Sequence, residues 1–384
     1  MRKILFVIPD LGAGGTNPSL EALYSHIRDK YEIKVFAIVH QSRSREYLFD
    51  NVLLPQDRSL SMLYTDYNKQ KGLNKVCAFF YKSLDKLLHL FNIDLRCLAE
   101  KKTAQGIELN NVFDTIVAYQ EGYTTSFVSF FRNPNKVAWV HCNYDKWMPQ
   151  DRTELTLYDQ FKHIVCVSDY TASVFAKRYP SLSNRVLGIH NFVESDQIKK
   201  MGGHKIDDKR FETDKFIILS VGRFHSVKRF SEIPKIAAAI KKCNLEFYWY
   251  ILGDISESKE KVLFDENVKK NEVDDCVKWL GGKNNPYPYF KASDLYVCTS
   301  DSEACPMVFI ESNLFGLPIV TTDFPSAYEF VVDSKNGRVM PIENISDAIR
   351  ELLTDRAKYL RMKEEVSYFI YDNSSLLRKV ESVL

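Results

Sequence analysis

A chain of 384 residues is longer than one ordinary hydrophobic core supports, so two domains are expected. Its 45% hydrophobic and 27% charged residues are those of a globular protein in water. A net charge of only +2, with no RNA- or DNA-binding signature, leaves no ground for a nucleic-acid partner, and no apolar run approaches the ~20 residues of a bilayer crossing.

The chain starts with Met1-Arg2-Lys3 running directly into a short strand over Ile4–Ile8, which is not the pattern of a secretory signal. The loop Gly12-Ala13-Gly14-Gly15 follows. Gly14 and Gly15 allow a ligand close to the backbone, and the same pair equally serves a tight strand-to-helix turn. Further apolar runs at Val35–Val39, Thr115–Tyr119, Val137–Val140, Ile164–Val167 and Val186–Ile189 read as buried strands. His141 comes directly after one of them, at its carboxyl end, where it faces ligand or serves as a structural histidine. Between these runs, Ser61 to Lys102 breaks the alternation with lysines 69, 71, 75, 82, 86, 101 and 102 among Phe79, Phe80, Tyr81, Leu87, Leu88, Leu90 and Phe91. That mixture suits an amphipathic helix on an anionic membrane surface, or a surface helix with a solvated lysine face.

A polar stretch over Ser195–Asp214 precedes a second series of runs, with the Gly202-Gly203 region as the expected joint. Residues 1–195 are expected as the first domain and 196–364 as the second, with a helix over about 365–384 packing back on the first. The second series is Phe216–Val221, Phe247–Leu252, Val277–Leu280, Leu295–Thr299 and Ile319–Thr322. Strands alternating with longer amphipathic stretches make two doubly wound α/β halves, with ligands beyond the carboxyl ends of the strands and in the cleft between the halves. After Val221 comes Gly222-Arg223-Phe224-His225-Ser226-Val227-Lys228-Arg229, where Arg223 and Lys228 bracket a strand-to-helix loop in a manner suited to a diphosphate. A basic surface loop is the plainer alternative.

The most informative stretch is Ser300-Asp301-Ser302-Glu303-Ala304-Cys305-Pro306-Met307-Val308-Phe309-Ile310-Glu311. Pro306 suits the first position of a helix and Gly316 the residue just past its end, so free N–H groups and a positive dipole end lie between two carboxylates. A glycosidase also needs two carboxylates, but flanking one bond at about 5–9.5 Å. Eight fully helical steps would rise ~12 Å, so the pair fits two ends of one extended ligand better. Asp301-Ser302-Glu303 also has the outline of a carboxylate metal clamp, though Arg223 and Lys228 already supply the charge a metal would bring. The eight cysteines include no Cys-x-x-Cys pair and no metal-ligand spacing, which suits a reducing cytoplasm.

Val221-Gly222-Arg223 with Lys228, Ile251-Leu252-Gly253-Asp254, Leu280-Gly281, and Glu303-x7-Glu311 with Gly316-Leu317-Pro318 and Glu329 together resemble the donor half of the GT4 family of retaining glycosyltransferases. The resemblance implies the GT-B fold, two Rossmann-like domains facing a central cleft. It implies that Arg223 and Lys228 neutralise a leaving diphosphate, that Glu303 contacts the donor sugar and Glu311 the ribose, and that the N–H groups of Met307 and Val308 after Pro306 meet the phosphates. Gly14, Gly15, Gly253 and Gly281 would lie beside the donor, and His141 would bond the sugar or the acceptor. The implied activity is metal-independent and cofactor-free transfer of a hexose-type sugar from a nucleotide-sugar, with UDP expected, to a lipid-linked or surface-polysaccharide acceptor. A peripheral position on the inner face of the cell membrane, through about residues 61–102, goes with that acceptor. The alternatives are a non-catalytic sugar-nucleotide sensor or scaffold, and a GT-B nucleotide-sugar epimerase.

Overall fold

A computed structural model of the protein describes residues 1–12, 16–39, 49, 51–66, 68, 70–146 and 153–384. The chain divides into two compact units, Met1–Val193 with Asn373–Leu384, and Glu194–Asp372. Each has a six-stranded sheet, and every pairing within it is parallel. The uninterrupted apolar runs form these strands because a parallel strand covered on both faces has no polar side to show.

In the first unit the strands are β1 (Arg2–Asp10), β2 (Tyr31–Val39), β3 (Thr115–Ala118), β4 (Lys136–Val140), β5 (His163–Cys166) and β6 (Val186–Gly188). Their order is β2-β1-β3-β4-β5-β6, so the winding reverses between β1 and β3. Leu5, Val7, Phe36, Ile116, Ala138 and Ile164 pack against Phe127, Phe131 and Phe175 on one face. The helix Asn373–Val383 completes this unit. At its start, Asn373 accepts from Val193 N at 3.3 Å and donates to Val193 O at 2.7 Å. Further along, Lys379 donates to Gly188 O at 3.0 Å, Glu381 pairs with Lys30 at 2.5 Å, and Val380 is fully buried. Thr115 donates to Leu384 O at 2.6 Å. Residues 365–372 stay with the second unit.

The Ser61–Lys102 segment is not one helix. It falls within three, Arg58–Tyr64, Gly72–His89 and Leu95–Asn110. The breaks have local causes. Asp57 and Asp94 cap the first and third through Leu60 N (3.0 Å) and Cys97 N (2.9 Å), and Gly72 (φ 56°) and Asn92 (φ 60°) take left-handed turns. Lys69 lies outside the described residues. Only Ala78 of the middle helix is buried, while Leu73, Val76, Phe80, Leu87 and the capping Leu90 form an exposed apolar stripe at helical spacing. Lys75, Phe79, Lys82 and Lys86 run alongside it.

The second unit holds β7 (Phe216–Val221), β8 (Phe247–Leu252), β9 (Val277–Trp279), β10 (Leu295–Cys298), β11 (Ile319–Thr322) and β12 (Gly337–Met340). The order β12-β11-β10-β7-β8-β9 reverses between β7 and β10. Edge strand β12 was not among the expected strands. The buried Trp249 donates to Ser220 Oγ (3.0 Å), which donates to Val297 O (2.6 Å), a polar tie across three adjacent strands. Gly202 and Gly203, expected at the joint, lie inside this unit just after the helix Ser195–Met201. A Cβ at Gly202 would come within 2.3 Å of the Phe315 ring, so that glycine serves packing rather than linkage. Among the described residues no helix is long and apolar enough to cross a membrane.

Candidate functional site

The winding reversal between β7 and β10 leaves a crevice beyond their carboxyl ends, the place where doubly wound sheets bind ligands. Gly222 follows the end of β7, and its N–H donates to Leu252 O at 2.9 Å. A Cβ there would come within 3.2 Å of Lys228 Cε and 3.3 Å of the Phe230 ring, so the lysine stem lies across the strand end. Gly253 follows β8 at φ 142°, and a Cβ on it would stand 1.8 Å from Gly222 O. Its N–H donates to Gly281 O at 3.1 Å, and Gly281 has φ 77°. These close backbone approaches bring three strand ends together where side chains would keep them apart.

Phe224 anchors the loop after β7. It is fully buried, edge-on to Phe230, Phe264 and Trp279. Asp301 N donates to Val227 O at 2.8 Å and Thr299 Oγ1 to Lys228 O at 2.7 Å, tying this loop to the one after β10. Thus held, Lys228 Nζ meets Glu303 Oε1 at 2.5 Å. Burial works against the lysine charge, yet the adjacent Glu303 carboxylate prevails and raises the ammonium above its ordinary value. Ser300 Oγ donates to the same Glu303 oxygen at 2.7 Å, and Ser326 Oγ donates to Glu303 O at 2.6 Å. Arg223 is exposed and has no ion-pair partner among the described residues, leaving one uncommitted cation beside the crevice. Asp301 faces Arg229 at 3.6 Å, so both carboxylates of the suspected metal clamp stand opposite cations.

The helix Met307–Leu314 follows, with Pro306 as its cap residue, one place earlier than the sequence suggested. Its first N–H groups, those of Met307 and Val308, precede the first intrahelical bond. Gly316 (φ 69°) lies just past its end, after the cap Phe315. Only the later part of the Glu303–Glu311 interval is helical. Glu311 is half-buried and accepts from the Tyr287 hydroxyl at 3.3 Å. Burial pushes its carboxyl up to about 7.

In the first unit His141 follows β4 directly, and its N–H donates to Glu121 Oε2 at 2.7 Å. Burial lowers its imidazole to about 3, so the ring is neutral, and its Nε2 is buried with no hydrogen-bond partner among the described residues. The Tyr119 ring lies 5.1 Å away. Gly14 and Gly15 lie outside the described residues. Beside them, Asn17 Nδ2 donates to Gly12 O (2.7 Å) and Asp10 O (3.1 Å).

Arg223, Lys228, Gly253, Glu303 and Pro306–Val308 thus gather at the carboxyl edge of the second sheet, with Glu311 further along the helix and Gly281 bonded to Gly253. His141 belongs to the first unit. Sequence reasoning missed Ser300, Tyr287 and Glu121. An acidic residue two places after the Thr115–Tyr119 run was a readable signal for Glu121 alone. Chemically, the edge offers positive charge and free N–H groups for an anion, with one carboxylate among them and a second on the helix.

The Glycosyl transferases group 1 family matches residues 204–367. The lipopolysaccharide core biosynthesis glycosyltransferase LpsE of Rhizobium meliloti is 25% identical over 216 residues, 54% of this chain and 60% of that protein. An N-acetylgalactosamine-N,N'-diacetylbacillosaminyl-diphospho-undecaprenol 4-alpha-N-acetylgalactosaminyltransferase of Campylobacter jejuni is 30% identical over 161 residues, 41% of each chain. The chain therefore spans about half the length of these two curated relatives. Among solved structures, Anabaena HepE in complex with UDP and glucose superposes with a TM-score of 0.75 at 16% identity, covering 100% of this chain and 99% of that one. That likeness, with the two doubly wound sheets, shows the GT-B fold.

Proposed function

We propose, from the premise that this is a GT-B chain whose second unit carries a Glycosyl transferases group 1 domain, that the protein is a retaining glycosyltransferase using a UDP-sugar. The observation that carries the reading is the Lys228–Glu303 pair at the β7/β10 reversal, beside an Arg223 with no ion-pair partner among the described residues and a helix N-terminus. The donor's diphosphate lies against Arg223, Lys228 and the N–H groups of Met307 and Val308. These groups neutralise charge that grows as the sugar leaves, without moving to do so. Glu303 accepts from hydroxyls of the sugar and Glu311 from the ribose. His141, in the first unit, is neutral, and its Nε2, without a hydrogen-bond partner among the described residues, is left for a ligand hydroxyl. The bond from the anomeric carbon to the phosphate oxygen breaks, and the acceptor oxygen bonds to that carbon on the same face. The acceptor proton passes to the departing phosphate oxygen. Arg223 and Lys228 supply the charge that a metal would supply, so the reaction is metal-independent.

UDP as donor nucleotide is favoured by the fold shared with UDP-bound HepE. A lipid-linked or surface-polysaccharide acceptor is favoured by the printed activities of LpsE and the Campylobacter transferase. The test is thermal unfolding with UDP, GDP, ADP and their sugars, with and without chelator. A ligand at 100 times its Kd stabilises by about 2.7 kcal/mol, and UDP and one UDP-sugar are expected to stand out equally in chelator. A shift confined to ADP or GDP would overturn the uridine assignment, and one lost to chelator and restored by Mn²⁺ would overturn metal independence. Binding without turnover would make the protein a sensor.

The acceptor class bears on the exposed stripe of the helix Gly72–His89. Apolar side chains flanked by lysines complement an anionic lipid surface, whereas a second copy would bring like charges together. The protein is accordingly a peripheral one on the cytoplasmic membrane face. Replacing Lys75, Lys82 and Lys86 with Gln is expected to weaken binding to phosphatidylglycerol vesicles about 100-fold, at ~1 kcal/mol per lysine. Unchanged sedimentation with vesicles would end the membrane reading. A dimer in solution that the triple variant leaves intact would instead assign the stripe to a second copy.

A further inference from the structure

Glu303 is held by one oxygen. Its Oε1 accepts from both Lys228 Nζ (2.5 Å) and Ser300 Oγ (2.7 Å), while Oε2 has no hydrogen-bond partner among the described residues and is not enclosed. The two donors differ in kind. Lys228 is a long, flexible cation, and an arriving diphosphate offers it more negative charge than one carboxylate does. Ser300 is short, uncharged and 2% exposed, with little freedom to move. Its carbonyl accepts from Thr322 Oγ1, and its Oγ accepts from the Cys298 thiol at 3.3 Å. With that contact on its oxygen, the hydroxyl proton is directed to Glu303.

We infer that Ser300 is a positioning residue for the transfer: its hydroxyl keeps the Glu303 carboxylate aimed, with Oε2 open to the sugar, when Lys228 turns to the donor's diphosphate. This rests on the reading of the edge as a nucleotide-sugar site, and it adds an exchange of partners to that reading. In the free protein Lys228 and Glu303 neutralise each other. With donor bound, Lys228 serves the phosphate and Ser300 alone holds the carboxylate. A hydrogen bond from a neutral donor to a carboxylate is then the difference between an aimed and a drifting group.

The experiment compares wild type, Ser300→Ala and Ser300→Thr for UDP affinity by calorimetry and for UDP release from UDP-glucose, UDP-galactose, UDP-N-acetylglucosamine and UDP-N-acetylgalactosamine. Ser300→Ala is expected to lower kcat about 10- to 100-fold with the best donor. UDP affinity should stay within about twofold, because in this reading Ser300 acts on the sugar through Glu303 and not on UDP. Ser300→Thr retains the hydroxyl and should recover most of the lost rate. Wild-type kcat in Ser300→Ala overturns the inference, and so does a fall in UDP affinity that matches the fall in kcat, since a merely structural serine would lower both. Wild-type protein that turns over none of the four donors overturns the transferase reading itself, and the inference with it.

Discussion

Replacing Glu303 with Ala is expected to reduce sugar transfer by about 10²- to 10³-fold, the usual cost of removing one preorganised polar group from a reacting centre. Its Oε2 meets no donor among the described residues, so a hydroxyl of the substrate is the partner proposed for it. The variant should still bind UDP, and at least as well as wild type does. Arg223 and the helix N-terminus are untouched, and Lys228 is released from the carboxylate that competes with the phosphates. The signature is therefore opposite movement: kcat falls sharply while UDP affinity holds or rises. Steady-state kinetics with calorimetry reads both. Turnover within about threefold of wild type would remove Glu303 from the proposed chemistry.

Gly253→Ala is expected to destabilise the second unit by roughly 3–5 kcal/mol, lowering its unfolding temperature by about 10 °C. The new Cβ would stand 1.8 Å from Gly222 O, which is backbone and cannot swing aside as a side chain can. The ends of β7 and β8 must part, carrying with them the loop that presents Arg223 and Lys228. Gly281→Ala is the matched control. That residue also has positive φ (77°), but nothing lies within 4 Å of its added Cβ, so only the backbone cost of about 1–2 kcal/mol remains. Calorimetric scans should rank Gly253→Ala far below Gly281→Ala. Equal transitions would mean that the close approach of the two strand ends is not what requires glycine.

The strands buried on both faces were legible because burial leaves an uninterrupted apolar run, as in Ile4–Ile8 or Phe216–Val221. Strand β12 was not, since Gly337-Arg338-Val339-Met340 lies at the sheet edge and needs no such run. The three helices within and around residues 61–102 merged into one reading because lysine and aromatic content ignores caps. Asp57 and Asp94 carried the breaks. At the site, Arg223, Lys228, Glu303 and Glu311 could be picked out by charge at strand ends and by the family resemblance. Their pairing could not. Lys228 and Glu303 are 75 residues apart, and two loop-to-loop ties, one from the Asp301 backbone and one from the Thr299 hydroxyl, make them partners. Ser300 was hidden for another reason: a serine near a helix start is ordinary in sequence, and only its 2.7 Å bond to Glu303 distinguishes it.

The return of the helix Asn373–Val383 to the first unit has a consequence for the order in which the protein is made. Residues 194–372 form a continuous segment and can fold as soon as they leave the ribosome. The first unit, synthesised earlier, cannot finish before them. Until Val380 and Thr115's partner Leu384 emerge, the first unit lacks the contacts of that helix, with Asn373 not yet bridging Val193. The half translated first is thus completed last, and during elongation it is the half exposed to chaperones and proteases.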